Sequence, residues 1–144
     1  MSNITQAHNS FPVMSDEMVA RVRGWEEKSL LEQQLDIPIR HTLHGGMYAR
    51  TVFVPAGVLI TGALIKIATL LIAQGNVLVY IGSDTIELEG YNIIPASAGR
   101  KQAFLAKTDA YLTMVFPSNA ETVAEAEEEF TDEADKLASR KGNG

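Results

Sequence analysis

An all-β domain with a helix at each end is the fold that this 144-residue sequence predicts. Three observations lead there. Turn signals recur about every eight to twelve residues between Ile39 and Phe116, the spacing of a sandwich or barrel of short strands. The segment TIELEG, 85–90, alternates apolar Ile86 and Leu88 with acidic Glu87 and Glu89, the period of a half-buried strand. The apolar run GVLITGALIKIATLLIAQG, 57–75, contains Gly62 and Lys66. A membrane helix needs about twenty apolar residues. Two strands hinged near Gly62 or Ala68, buried on both faces, fit the run better.

Along the chain, residues 1–14 are polar apart from an Asn-Ser-Phe-Pro turn and read as an arm, either disordered or laid across a partner. Ser15-Asp16-Glu17 supplies an N-cap and first-turn acids for a helix. Met18, Val22 and Trp25 follow at helical spacing, with Val19 alongside. Gly24 is a weak point, and Leu30, Leu31 and Leu35 carry the pattern to Pro38, which disfavours helix at the residue before it. Strands then follow in MYARTVFVPAG, which ends in a Pro-Ala-Gly turn, in the two halves of the 57–75 run, and in NVLVYIGSD, TIELEG, YNIIPASAG and DAYLTMVFP, with KQAFLAK between the last two. Beyond Pro117 a second helix is expected, opened by a Ser118/Glu121 capping box. Its narrow apolar seam is Val123, Phe130 and Leu137, with Ala126 and Ala134 between. The organisation expected is an arm and helix (1–37), a β-domain (38–117) and an acidic helix with tail (118–144).

Charge narrows the function classes. The net charge is −6, and residues 118–144 hold eight acids against three bases, leaving the body near neutral. Such a body offers no electrostatic footprint for nucleic acid, and neither nucleic acid nor membrane is expected as a partner. There are no cysteines, so disulfides, thiolate nucleophiles and cysteine metal sites are excluded. The opening residues have neither the basic nor the apolar region of a secretory leader.

The motifs VPAGVLITG (54–62), Gly75-Asn76-Val77, Ile93-Ile94-Pro95 with Gly99, and DAYLTMVFP (109–117) resemble the cupin superfamily. The resemblance covers roughly residues 38–117 and implies a jelly roll, or double-stranded β-helix. A metal-binding cupin would carry histidines and a glutamate near Ala63, Leu64, Ile65, Ala68 and Thr69, and a further histidine near Arg100–Ala103. None stands there, so no metal, other cofactor or catalytic residue is expected, and the interior is expected to be filled with aliphatic side chains. Leu30–Leu35, His41–His44, Tyr48-Ala49-Arg50 and Pro55-Ala56-Gly57 together resemble short cupin-like proteins of tailed bacteriophages. Some phage capsids are coated by jelly-roll cement proteins of about this size. That resemblance implies a non-enzymatic decoration protein on the capsid surface, assembled in the host cytoplasm. It would act as a homodimer that clamps neighbouring major capsid subunits by multivalent contact.

Other constellations carry less. His41 and His44 lie three apart and would point to opposite faces of a strand. No Gly-x-Ser-x-Gly, Walker or dinucleotide glycine pattern occurs, and His44-Gly45-Gly46 lacks a nucleophile to serve. Glu87 and Glu89 read as a solvated edge. Trp25 is either a core residue or an interface anchor, since tryptophan is enriched at binding hot spots. With Val123, Phe130 and Leu137 it forms the expected interface set. Two alternatives stand beside the capsid role. One is a metal-free cupin that binds or isomerises a small ligand through Lys66, Thr69 and Tyr80; the other is a tail or fibre component.

Overall fold

The computed structural model describes residues 11–30, 37–82 and 84–137, the side chains of 25–30 excepted. Nine strands are described: β1 (Ile39–His44), β2 (Met47–Val54), β3 (Leu59–Thr61), β4 (Thr69–Gln74), β5 (Val77–Ile81), β6 (Asp84–Leu88), β7 (Tyr91–Ala96), β8 (Ala103–Ala106) and β9 (Ala110–Pro117). They pair into a five-stranded sheet, β1-β2-β9-β4-β7, and a four-stranded sheet, β3-β8-β5-β6. Every pairing between named strands is antiparallel. The long-range partners β2–β9, β4–β9 and β5–β8 wind the chain into two facing layers. This is a jelly roll.

Period-two alternation sets the interior. Val77, Val79 and Ile81 of β5, Leu71 and Ala73 of β4, and Leu112 of β9 point between the sheets with Ile94, Phe104 and Leu88. Each large aliphatic side chain buried this way contributes roughly 1.5–3 kcal/mol of transfer free energy. A second cluster lies at one end of the roll: Tyr48, Met114 and Phe116 from the five-stranded sheet, with Ala126, Phe130, Ala134 and Leu137 from the C-terminal segment. Turns allow the winding. Gly75 sits at φ 122°, and a Cβ there would lie 2.7 Å from the Asp109 carbonyl oxygen, so the β4–β5 turn needs glycine. Gly82, also at positive φ, lets Met18 pack directly on the chain.

The flanking segments differ from expectation in instructive ways. Helix α1 runs Asp16–Leu30 and starts where expected, with Ser15 Oγ accepting the Met18 N–H. Gly24 lies inside it without ending it. Leu31 and Leu35 fall outside the described residues. Phe11 bridges Ala96 in parallel, accepts the Ser97 N–H and donates to the Pro95 carbonyl. It is 1% exposed. So the end of the arm is laid across the chain's own β7, because an aromatic ring there fills the roll.

The 57–75 run does give two strands, but residues 62–68 between them are irregular, and β4 is not buried on both faces. Leu70 is 46% exposed, since β4 shows its alternate side chains to the outer face. The second helix, α2, is only Val123–Phe130. Its cap is Thr122, which accepts the Glu125 N–H, not Ser118. The buried Ser118 instead donates to Glu129 and accepts the Ala120 N–H. After Phe130 the chain turns through Thr131 and Asp132 into a short 3₁₀ turn, Ala134–Lys136.

Candidate functional site

Between the two sheets, under the C-terminal segment, lies a cavity of about 190 Å³. Its wall is mostly apolar: Val52 from β2, Ile60 from β3, Leu71 from β4, Leu112 and Met114 from β9, Phe104 from β8, with Ala63 and Ile65 from the connection between β3 and β4. Phe130 and Leu137 close it from the C-terminal side. The polar residues in the wall set its chemistry.

Arg100 and Gln102 enter on the extended stretch leading into β8. Alternation along extended chain turns Arg100, Gln102 and Phe104 to one side, and all three line the cavity. Arg100 is 3% exposed. Its Nη1 donates to the Ser97 carbonyl at 2.8 Å and to the Ile67 carbonyl at 3.4 Å, and its Nη2 to Thr69 Oγ1 at 2.6 Å. All three acceptors are neutral oxygens. Among the described residues Arg100 has no carboxylate partner. Loss of hydration on burial pulls its pKa from 12.5 down to about 10, and it stays cationic at neutral pH. Gln102 is 4% exposed, and its Nε2 has no hydrogen-bond partner among the described residues.

The other charges are matched. Arg50, on the inward face of β2, meets Glu127 of α2 at 3.3 Å with both side chains buried, and its guanidinium lies 5.7 Å over the Phe130 ring. Glu133 is a hub. It accepts from Arg23 of α1 and from the Leu64 N–H, and lies 3.6 Å from Lys101 Nζ and 3.9 Å from Lys136 Nζ. Burial alone would raise its pKa. The Arg23 and Leu64 hydrogen bonds and the charges of Lys101 and Arg23 outweigh that and hold it at about 2. Lys101, with no side-chain exposure, also donates to the Gly62 carbonyl. Of the charged side chains that line the cavity, Arg50, Arg100 and Lys136 are cationic and Glu133 is anionic. The site is electropositive inside a protein of net charge −6.

The residues singled out from sequence fall in different places. Phe130 and Leu137 are 1% and 7% exposed, and with half-buried Val123 they pack on Tyr48, Met114 and Phe116. The seam, expected to lie against the body or a neighbouring subunit, packs against the body, where the roll buries the apolar side of a thin acidic helix. The Trp25 side chain lies outside the described residues. His41 and His44 are both on β1: His41 Nδ1 is 2.7 Å from the Tyr48 hydroxyl, and His44 is exposed. Burial, then the charge of Arg50, lowers the His41 pKa. Glu87 pairs with Lys107 on the edge strand β6, and Glu89 is exposed. Of the polar residues in the ligand-binding alternative, Thr69 reaches the site through Arg100, Tyr80 packs under α1, and exposed Lys66 pairs with Asp132.

Of the positions at which the resemblance would put metal ligands, Ala63, Ile65, Arg100 and Gln102 line this cavity, and Leu64, Ala68, Thr69, Lys101 and Ala103 do not. Two aliphatic side chains, a guanidinium and an amide cannot hold a divalent ion, which needs several nitrogen and oxygen ligands. No group of three or more His, Asp or Glu converges among the described residues. What sequence reasoning missed is the set of polar residues that lines the cavity. Arg50 shares the period-two face of Tyr48 and Val52, and Arg100 and Gln102 share that of Phe104. Charged and amide residues at inward positions were the available signal.

No protein-family model matches the chain, and no curated protein matches it either. Solved structures with a similar arrangement include a cupin-2 domain protein from Shewanella frigidimarina, 14% identical over 65% of this chain and 91% of that one, with a TM-score of 0.46. KdgF from Halomonas sp. is also 14% identical, over 62% of this chain and 86% of that one, with a TM-score of 0.49. The cupin domain of an XRE-family transcriptional regulator from Enterobacter cloacae is 7% identical, over 58% and 99%, with a TM-score of 0.47. These proteins are similar to the chain in overall fold, and the jelly-roll assignment itself rests on the strand order and register above.

Proposed function

We propose that this chain is a non-catalytic jelly roll that binds a small molecule between its sheets. The observation that supports this reading is the cavity of about 190 Å³ between the sheets, apolar over most of its wall and furnished with a few buried polar groups. Small-molecule sites have that character, though most are larger, about 300–1,000 Å³. A 150 Å³ apolar cavity in another protein takes up benzene, so a compact ligand fits. Acid–base catalysis needs a group that exchanges its proton near neutrality. Glu133 at about 2 and Arg100 at about 10 are both far from it. A methyl-detected NMR screen of small fragments tests the binding. Shifts are expected at Ile60, Ile65 and Leu71, and a library that leaves those methyls unmoved would refute it.

A second reading, the capsid clamp, has one observation in its favour. The outer face of the five-stranded sheet bears no charged residue on β2, β9, β4 or β7. Its register sets Ala49, Val115, Leu70 and Pro95 in one row, and Thr51, Thr113, Ile72 and Ile93 in the next. Leu70, Tyr91, Ile93 and Tyr111 are 46–62% exposed. Exposed apolar patches of this kind mark protein contacts. In this reading the face meets major capsid subunits of a bacteriophage and its own copy in a dimer. Mass spectrometry of purified particles would show hundreds of copies, and an Ile93→Glu variant that folds normally would fail to attach. Absence of the protein from particles removes the clamp and leaves the ligand-binding reading intact.

A further inference from the structure

We infer that the ligand of this cavity is a small monocarboxylate with a compact apolar body, its carboxylate held by Arg100 and Gln102. The inference rests on the ligand-binding reading and adds the chemistry of the ligand. Two independent observations point the same way. Arg100 is a buried cation whose three hydrogen bonds among the described residues all end on neutral oxygens. Buried charges in proteins are paired or coordinated, because an isolated one is costly to desolvate. Gln102 is the second observation: a buried amide donor with no acceptor among the described residues, an arrangement that costs about 1–3 kcal/mol when left unmade. The two residues stand two apart on extended chain, facing the same cavity. A carboxylate accepts from both at once, with guanidinium geometry suited to it.

The apolar part of the wall sets the body of the ligand. Val52, Ile60, Ile65, Leu71 and Leu112 offer only dispersion and burial. Against the cavity that holds benzene, a volume of about 190 Å³ accommodates roughly six to nine non-hydrogen atoms, a branched five-carbon acid or benzoate. A doubly charged or sugar-like ligand would leave polar groups unpaired on the aliphatic wall. The surplus of cations around the site favours an anion and disfavours an amine.

The test uses the full chain and four probes in calorimetric titration at pH 7: 3-methylbutanoate, benzoate, the neutral isostere 3-methylbutanamide, and inorganic phosphate. The acids are expected to bind saturably, the amide at least tenfold more weakly, and phosphate weakly or not at all. Arg100→Met is expected to abolish the preference of acid over amide, and Gln102→Leu to weaken both. The acid–amide comparison on the unaltered protein decides the matter even if Arg100→Met does not fold. Equal affinity for acid and amide would overturn the inference while leaving the cavity as a ligand site. Phosphate binding as tight as the acids would overturn it too, since the apolar wall would then contribute nothing. If no probe binds and the fragment screen is also blank, the ligand-binding reading itself fails.

Discussion

Replacing Glu133 by alanine is expected to lower the unfolding free energy by about 3 kcal/mol or more, the range for removing one member of a buried ion pair. The size follows from what is left behind. Lys101 has no side-chain exposure and would lose the carboxylate 3.6 Å from its Nζ while still donating to the Gly62 carbonyl. The Leu64 N–H would lose its acceptor, and Arg23 its tie from α1 to the C-terminal segment. Three parts of the chain, remote in sequence, meet at this one carboxylate. The charge also predicts a pH dependence with a definite sign. Folding lowers the Glu133 pKa from 4.5 to about 2. The ionised form therefore stabilises the fold fully above pH 4.5, and that contribution is lost as pH falls through 4.5 towards 2. Denaturant titrations at pH 7, 4.5 and 3 measure it. Glu133→Gln retains an acceptor for Leu64 but no charge, so its stability should be lower at pH 7 and change less between pH 4.5 and 3. A loss below 1 kcal/mol for Glu133→Ala would show the hub to be ornamental.

The β-roll was legible in sequence because its signals are local. Alternation in TIELE and MYARTVFV, and turn residues such as Gly75 and Gly82, specify strands and corners without knowledge of the partners. The 57–75 run was half legible. Its apolar character marked strands, but a buried face and the exposed outer face of a sheet read alike when both are aliphatic, so Leu70 looked like core. The C-terminal segment was less legible still. A heptad spacing of Val123, Phe130 and Leu137 predicts one continuous helix, and the chain instead breaks after Phe130 so that Phe130 and Leu137 can both reach the mouth of the roll. That break is a tertiary effect. The cavity was illegible for the same reason: Arg50, Arg100, Gln102 and Glu133 are spread over more than eighty residues, and only the pairing of β2 with β9 and the bridge between Ile65 and Arg100 bring them together. Their residue types matched no metal motif, so the absence of histidine was visible and the presence of a cationic pocket was not.

Phe130→Ala is the other large effect, expected at about 4–5 kcal/mol, within the range for truncating a buried aromatic. Phe130 is 1% exposed. Its ring stacks on Tyr48 at a centroid distance of 6.3 Å, meets Phe116 edge-on at 6.0 Å, and carries the Arg50 guanidinium on its face. The cost should sit high in the range because the site cannot collapse. Tyr48 and Phe116 are fixed in the β2–β9 ladder, and the space vacated joins an existing cavity. Two consequences separate this from a residue at a subunit interface. Burial within the chain makes the loss independent of protein concentration, whereas a dimer contact would give a midpoint that rises with concentration. The vacated space also belongs to the ligand site, so a small aromatic such as benzene should raise the stability of the variant by more than that of the unaltered protein. Thermal melts over a hundredfold concentration range, with and without benzene, read both effects. A concentration-dependent midpoint would return Phe130 to the interface role its spacing suggests, and no recovery with benzene would mean that the C-terminal segment repacks to fill the gap.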